Sequence, residues 1–263
     1  MNVRTAKKRT GKQKAANFVI QGSILAMAGI LVRIIGMLYR MPLNDIIGKQ
    51  GNGYYTSAFN VYNILLILSS YSMPVAVSKM IAARIARGEY RNCSRILKAA
   101  LIYATVVGGV AAAVLWFGAD LFADLIRTPF SRYALKTLAP TIWVMAYLGV
   151  LRGYFQGTGT MVPTAVSQIL EQILNAVISI LAAYLLIQSF TGVDMTQKAI
   201  RGASGSALGT GAGVLTALIF VFAVYMFNRR TIVRRIERDT GHKTESYREI
   251  SKIILFMVTP VIL

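Results

Sequence analysis

Six apolar stretches, each longer than twenty residues, constrain this chain more than any other feature: about Asn17–Tyr39, Tyr54–Val77, Ile96–Phe117, Tyr133–Gln156, Pro163–Ile187 and Ala203–Phe227. About 20 mostly apolar residues are needed to cross a bilayer as a helix. In hydrocarbon every backbone N–H and C=O must find a partner within the protein, which leaves helices or closed barrels as the spanning structures. Runs of this length predict an all-α, polytopic membrane helical bundle with six complete transmembrane helices. A seventh run opens at Ile250 and continues to Leu263, with Pro260 inside it. It reads as the start of a seventh helix in a longer protein. The first run follows a basic tail, but it exceeds the roughly 7–15 residues of a signal-peptide core and reads as an uncleaved span.

The organisation that follows is a basic tail over 1–16, a six-helix unit over 17–227, a basic linker over 228–249 and a truncated seventh helix over 250–263. Charge sets the orientation. The formal net charge is +19, yet only 15% of residues are charged, against roughly 25% in soluble domains. The tail, the segment after the second span, the segment after the fourth (with Arg152, near that span's end, counted in it) and the linker together hold 21 Lys and Arg, and the alternate loops hold 7. Such alternation predicts a cytoplasmic N-terminus in a bacterial cell membrane. Most of the positive charge is then explained by topology and anionic headgroups rather than by nucleic acid.

Other chemistry has little material. Cys93 is the single cysteine and His242 the single histidine, so disulfides, metal clusters and histidine-based catalysis are not expected. The closest acidic pair, Asp120 and Asp124, falls at the outer end of the third span, a poor basis for a membrane enzyme. GNGYY at Gly51–Tyr55 and GTGT at Gly157–Thr160 read as short turns between spans. Neither lies between a strand and a helix, as a nucleotide-cradling loop would. The small-residue run Gly202–Gly213 predicts close helix packing.

Polar groups inside spans are costly and point to function. On the first helix Gly22, Ala26, Gly29, Arg33, Gly36 and Arg40 follow a 4-3-4-3-4 spacing on one face. Two guanidiniums seven residues apart suit a phosphate-rich group, because Arg binds phosphate oxygens bidentately. On the fifth helix Gln168, Glu171, Gln172 and Asn175 form a polar stripe. Glu171 is the only acid within a complete span. It suits either a coupling proton or cation (H+ or Na+), or a structural partner for a basic residue such as Arg33 or Arg152. On the second helix Asn60, Asn63 and Ser70 share a face with Tyr71 nearby, and Pro74 breaks the last turn. The linker mixes eight basic residues with Glu237, Asp239, Glu245 and Glu249. Tyr225–Asp239 reads as a helix leaving the membrane.

Several segments together carry a resemblance: VRIIGMLYR (Val32–Arg40), IIGKQGNGYY (Ile46–Tyr55), MPVAVSKMIAARIARGEY (Met73–Tyr90) and LRGYFQGTGTMVPTAVSQILEQILN (Leu151–Asn175). The chain resembles the polysaccharide-biosynthesis and export family, in particular its stage V sporulation protein B and MurJ-like flippases. The resemblance implies the multidrug/oligosaccharidyl-lipid/polysaccharide flippase fold, two six-helix lobes around a cavity, of which this chain is the first lobe. It implies a monomeric transporter that carries an undecaprenyl-diphosphate-linked cell-wall precursor, lipid II, across the membrane by alternating access. Its partners are the lipid-linked oligosaccharide and membrane lipids, with no nucleic acid and no cofactor besides a coupling ion. In MurJ-like members arginines near the end of the first helix bind the diphosphate. Arg33 matches the first through an Arg-x-x-Gly pattern with Gly36, and Arg40 falls one residue out of step with the second. A flippase for another lipid-linked polysaccharide unit, or a cation-coupled drug exporter, shares the architecture. The expected substrate-binding set is Arg33, Arg40, Asn60, Asn63, Gln168, Glu171 and Asn175, with no catalytic residue and no metal ligand.

Overall fold

The protein is described by a computed structural model covering residues 3–189, 194–237, 239 and 244–258, with side chains from residue 19 onward. His242, Pro260 and the basic side chains of the tail lie outside the described residues. All regular structure among the described residues is helical: α1 (Val3–Leu38), α2 (Arg40–Ser69), α3 (Met73–Ala86), α4 (Tyr90–Tyr103), α5 (Gly109–Phe117), α6 (Ala119–Leu125), α7 (Arg132–Gly157), α8 (Val162–Gln188), α9 (Met195–Glu237) and α10 (Tyr247–Val258). Six of the helical segments are long and apolar enough to cross a membrane, as the hydropathy predicts. The protein is a multi-pass membrane protein.

The path between the first two spans differs from expectation. Tyr39 keeps right-handed helical dihedrals. It also keeps the bonds on either side, Tyr39 N to Ile35 O (3.1 Å) and Leu43 N to Tyr39 O (3.2 Å). The helical course therefore runs from α1 through Ile47. The chain bends at Gly48, where φ is +69° and ψ 173°. Only glycine visits that region without strain. Gly51–Tyr55, expected as a turn, is helix. Gly51 serves packing: a Cβ there would lie 3.1 Å from the Ala199 carbonyl on α9.

The second span is broken in two. α2 stops at Ser69, the chain turns through Ser70–Ser72, and α3 begins with Pro74 in its first turn. Proline lacks the amide that a continuing helix would need and is accepted at a helix start. Ser69, Ser70 and Ser72 are buried at the break. The face expected to join Asn60, Asn63 and Ser70 therefore ends before Ser70. The third span also carries a defect, a π-helical turn at Ala104–Gly108 between α4 and α5. There Gly108 faces α7 so closely that a Cβ would lie 2.8 Å from the Ala146 Cβ.

Two glycine ladders hold the bundle. Gly149, Gly153 and Gly157 on α7 meet α3, and a Cβ on Gly153 would lie 2.8 Å from the Pro74 carbonyl. Gly205, Gly209 and Gly213 on α9 meet α8, and a Cβ on Gly213 would lie 2.5 Å from the Glu171 carbonyl. With lipid outside, such close backbone approach supplies the van der Waals contact that hydrophobic exclusion supplies in water. The packing expected for Gly202–Gly213 is thus present.

α9 has 43 residues, about 64 Å at 1.5 Å per residue, so it extends well past a hydrocarbon core of about 30 Å. Beyond it the linker is pinned to the α3–α4 turn. Arg84 forms a bidentate pair with Glu245 (2.8 and 2.9 Å from Nη2), Arg95 donates to the Glu245 carbonyl (2.6 Å), and the Glu245 amide donates to Asn92 Oδ1 (3.1 Å). α10 then buries Ile250, Ile254 and Val258 in the same core as Met80, Ile81 and Ile96.

Candidate functional site

α1 lies against α8 on one flank of the bundle, where a cleft of about 510 Å³ opens between α1, α2 and α8. Its lining includes Arg33, Gly36, Tyr39, Arg40, Gln172 and Asn175. The uninterrupted helical path through Tyr39 is what brings Arg33 and Arg40 to one cleft. Gly36 permits the approach of α8, since a Cβ there would lie 3.1 Å from Gln172 Nε2. Gly22 and Gly29, on the same face, meet nothing within 4 Å of a Cβ position among the described residues.

Six of the seven expected residues separate into two groups, and Glu171 stands apart from both. Arg33, Arg40 and Asn175 line this cleft, together with Gln172 of the same polar stripe. Asn60, Asn63 and Gln168 are not among its lining residues; Asn60 is exposed, and Asn63 and Gln168 are half-buried. Asn175 is anchored from behind. Its Oδ1 accepts from Ser179 Oγ (3.0 Å) and Thr210 Oγ1 (3.4 Å), and Thr210 Oγ1 lies 3.0 Å from the Tyr55 hydroxyl. This chain of polar groups joins α2, α8 and α9 and holds the amide at the cleft wall.

Glu171 is turned to a different partner. Arg152 Nη2 donates to Glu171 Oε2 at 2.8 Å, and Arg152 Nε donates to Ser167 Oγ at 2.9 Å. Arg152, counted as a loop residue from its charge, lies inside α7 and is only 7% exposed. Of the two structural partners open to Glu171, the one present is Arg152. Serine at 167 and glutamate at 171 are one helical turn apart, so both face the same guanidinium.

The electrostatic result is simple. Glu171 is neutralised by Arg152, while neither Arg33 nor Arg40 forms an ion pair with a described acidic residue. Among the described residues that line it, the cleft carries two cations and no carboxylate. Tyr39 and Phe59 also line it and were missed by sequence reasoning. Tyr39 had a signal, an aromatic residue adjoining Arg40 in a small-residue face. Phe59 had none. Among the described residues no group of acids, cysteines or histidines is placed to hold a metal ion.

Comparison with known proteins agrees with this architecture. The chain is 30% identical over 213 residues to stage V sporulation protein B of Bacillus subtilis, covering 81% of this chain and 40% of that protein. It is 27% identical over 233 residues to the lipid II flippase MurJ of the same organism, covering 83% of this chain and 41% of that protein. The chain thus spans about two fifths of the length of these curated relatives. Among solved structures it superposes on a MOP superfamily transporter from Pyrococcus furiosus with a TM-score of 0.65 at 18% identity, over 91% of this chain and 51% of that one. A MATE protein in its straight conformation gives a TM-score of 0.67 at 20% identity, over 94% and 52%. These likenesses show the MOP-transporter fold. The model of the family described as polysaccharide biosynthesis protein matches residues 19–242, and the chain belongs to that family.

Proposed function

We propose that the chain forms the cation-bearing half of a membrane transporter that flips an undecaprenyl-diphosphate-linked cell-wall precursor, lipid II, between leaflets. The observation that carries the reading is the cleft between α1, α2 and α8, where Arg33 and Arg40 stand with no carboxylate among the described lining residues. A diphosphate cannot enter hydrocarbon without substitutes for its hydration. Guanidiniums supply them bidentately, and the amides of Gln172 and Asn175 suit a sugar or phosphate oxygen. No bond is made or broken, so the task is binding and release as two lobes rock about the site. The transporter works as a monomer in the bacterial plasma membrane, with the basic loops on the cytoplasmic side.

The same charge balance weighs against export of cationic drugs. The carboxylate such a cargo or a coupling H+ or Na+ would seek is Glu171, and Arg152 occupies it. A flippase for another lipid-linked polysaccharide unit remains compatible with the same cleft. The test is translocation of fluorescent lipid II by the full-length protein in proteoliposomes. Loss of one charge-assisted contact is worth roughly tenfold or more, so Arg33→Ala should lower translocation by about that factor. Arg33 is exposed in the described chain, so its truncation leaves the packing intact. Undiminished lipid II flipping at equal expression would sink the assignment. Unaltered binding of lipid II with loss of another lipid-linked sugar would move the substrate to that class.

A further inference from the structure

Two further clefts lie on α4, α7 and α9, and among the described residues none of α1 lines either of them. The first is a trough of about 560 Å³ walled by Leu97, Leu101, Tyr147, Leu151, Leu218 and Phe222, with Lys98 at its border. The second, about 380 Å³, is lined by more polar groups, among them Tyr90, Thr158, Asn228, Thr231 and Arg235. Ser94 borders both, so the two adjoin at that residue.

The direction of the change is the same on all three helices. From the trough to the polar cleft, residue numbers fall along α4 from Leu101 to Tyr90. They rise along α7 from Leu151 to Thr158 and along α9 from Leu218 to Arg235. Each of these directions leads out of a span, and on α4 and α9 it leads into the segments rich in Lys and Arg. Where the halves meet, Tyr154 of the polar cleft packs edge-on against Tyr225 of the trough, centroids 5.6 Å apart. Tyrosine collects at the membrane–water interface because its ring is apolar and its hydroxyl polar. The site is therefore apolar at hydrocarbon depth and polar at headgroup depth. Neither Lys98 nor Arg235 has an ion pair among the described residues.

We infer that this double cleft binds one anionic phospholipid from the leaflet on the basic-loop side, its acyl chain in the trough and its phosphate among Ser94, Lys98 and Arg235. Charge complementarity selects the occupant. A zwitterionic lipid fits the trough equally well but brings no net charge to two unpaired cations.

Native mass spectrometry and thermal unfolding of the full-length protein in detergent test it, with phosphatidylglycerol and phosphatidylcholine of identical chains as probes. Two cations near an anionic headgroup correspond to a preference of roughly thirtyfold for phosphatidylglycerol. Lys98→Gln with Arg235→Gln should reduce that preference to about unity. Both residues are exposed, which keeps the variant folded. Leu101→Trp, which fills the trough, should reduce retention of both lipids, while Arg33→Ala should change neither. Equal retention of the two lipids by the wild type would overturn the inference. So would a preference that survives the double substitution, or a stabilisation by inorganic phosphate equal to that by phosphatidylglycerol, which would make the ligand a free anion.

Discussion

Replacing Glu171 by Gln leaves the Arg152 guanidinium inside the bundle with Ser167 Oγ and an amide oxygen as its acceptors among the described residues. Shape and one hydrogen bond are kept, and the countercharge is lost. Removing one partner of a fully buried pair costs about 3–5 kcal/mol. Here the Arg152 side chain is 8% exposed and that of Glu171 22%. Partial water access on the glutamate side and the retained amide bond bring the expected loss to about 2 kcal/mol. For a bundle of this size that is a fall in Tm of roughly 4–8 °C. The reverse substitution, Arg152→Met, should be milder. A lone carboxyl can neutralise itself by taking up a proton, whereas a guanidinium stays charged at any usable pH. Arg152→Met with Glu171→Gln together should recover most of the loss, because no unpaired charge remains. The assay is thermal unfolding of the four proteins in one detergent, read as a double-mutant cycle. If the losses of the two single variants add in the double variant to within about 0.5 kcal/mol, the two residues do not act as a pair and the reasoning fails.

Gly153→Val should be among the most damaging substitutions, since its Cβ would meet the Pro74 carbonyl, backbone that cannot step aside. A loss of about 1–3 kcal/mol is expected from overpacking, and an unchanged Tm would refute the close approach of α3 and α7. Gly48→Ala meets no neighbour but must adopt φ +69° and ψ 173°, a strain of about 1–3 kcal/mol that thermal unfolding would detect. Glu245→Ala removes both bonds from Arg84 Nη2 and should speed amide exchange in α10, measured by hydrogen–deuterium exchange; exchange equal to wild type would show that the linker is held elsewhere. At Asp120 the hydrogen bond from Lys136 holds the carboxyl below its ordinary range. A depressed carboxylate stabilises above its unfolded-state pKa and loses that contribution as pH falls through the folded value. The Tm difference between wild type and Lys136→Gln is therefore expected at neutral pH and should vanish in acid; a difference that persists in acid would exclude this pair as its source.

Sequence alone determined the fold class and the number of spans, because a hydrocarbon solvent makes both a matter of local apolar length. It determined Arg33 and Asn175 as candidates for the same reason, since a polar side chain inside an apolar run is visible without any neighbour. It also showed the small-residue run at Gly202–Gly213. Three features were decided only in three dimensions. The glycines at Gly51 and Gly53 look like a turn in any local reading, and only the proximity of α9 to Gly51 explains their helical setting. Ser70 lost its place beside Asn63 because it opens the turn that precedes Pro74, and whether a proline kinks a span or divides it depends on what the freed backbone groups meet. The third concerns charge. Arg152 was legible as one more basic residue near the end of a span, and Glu171 as a carboxylate with several conceivable partners. Their pairing, which leaves Arg33 and Arg40 without an acidic partner among the described residues, depends on α7 and α8 meeting at one register. Apolar length acts along the chain and can be read from it, whereas charge compensation acts across helices and is settled only when they pack.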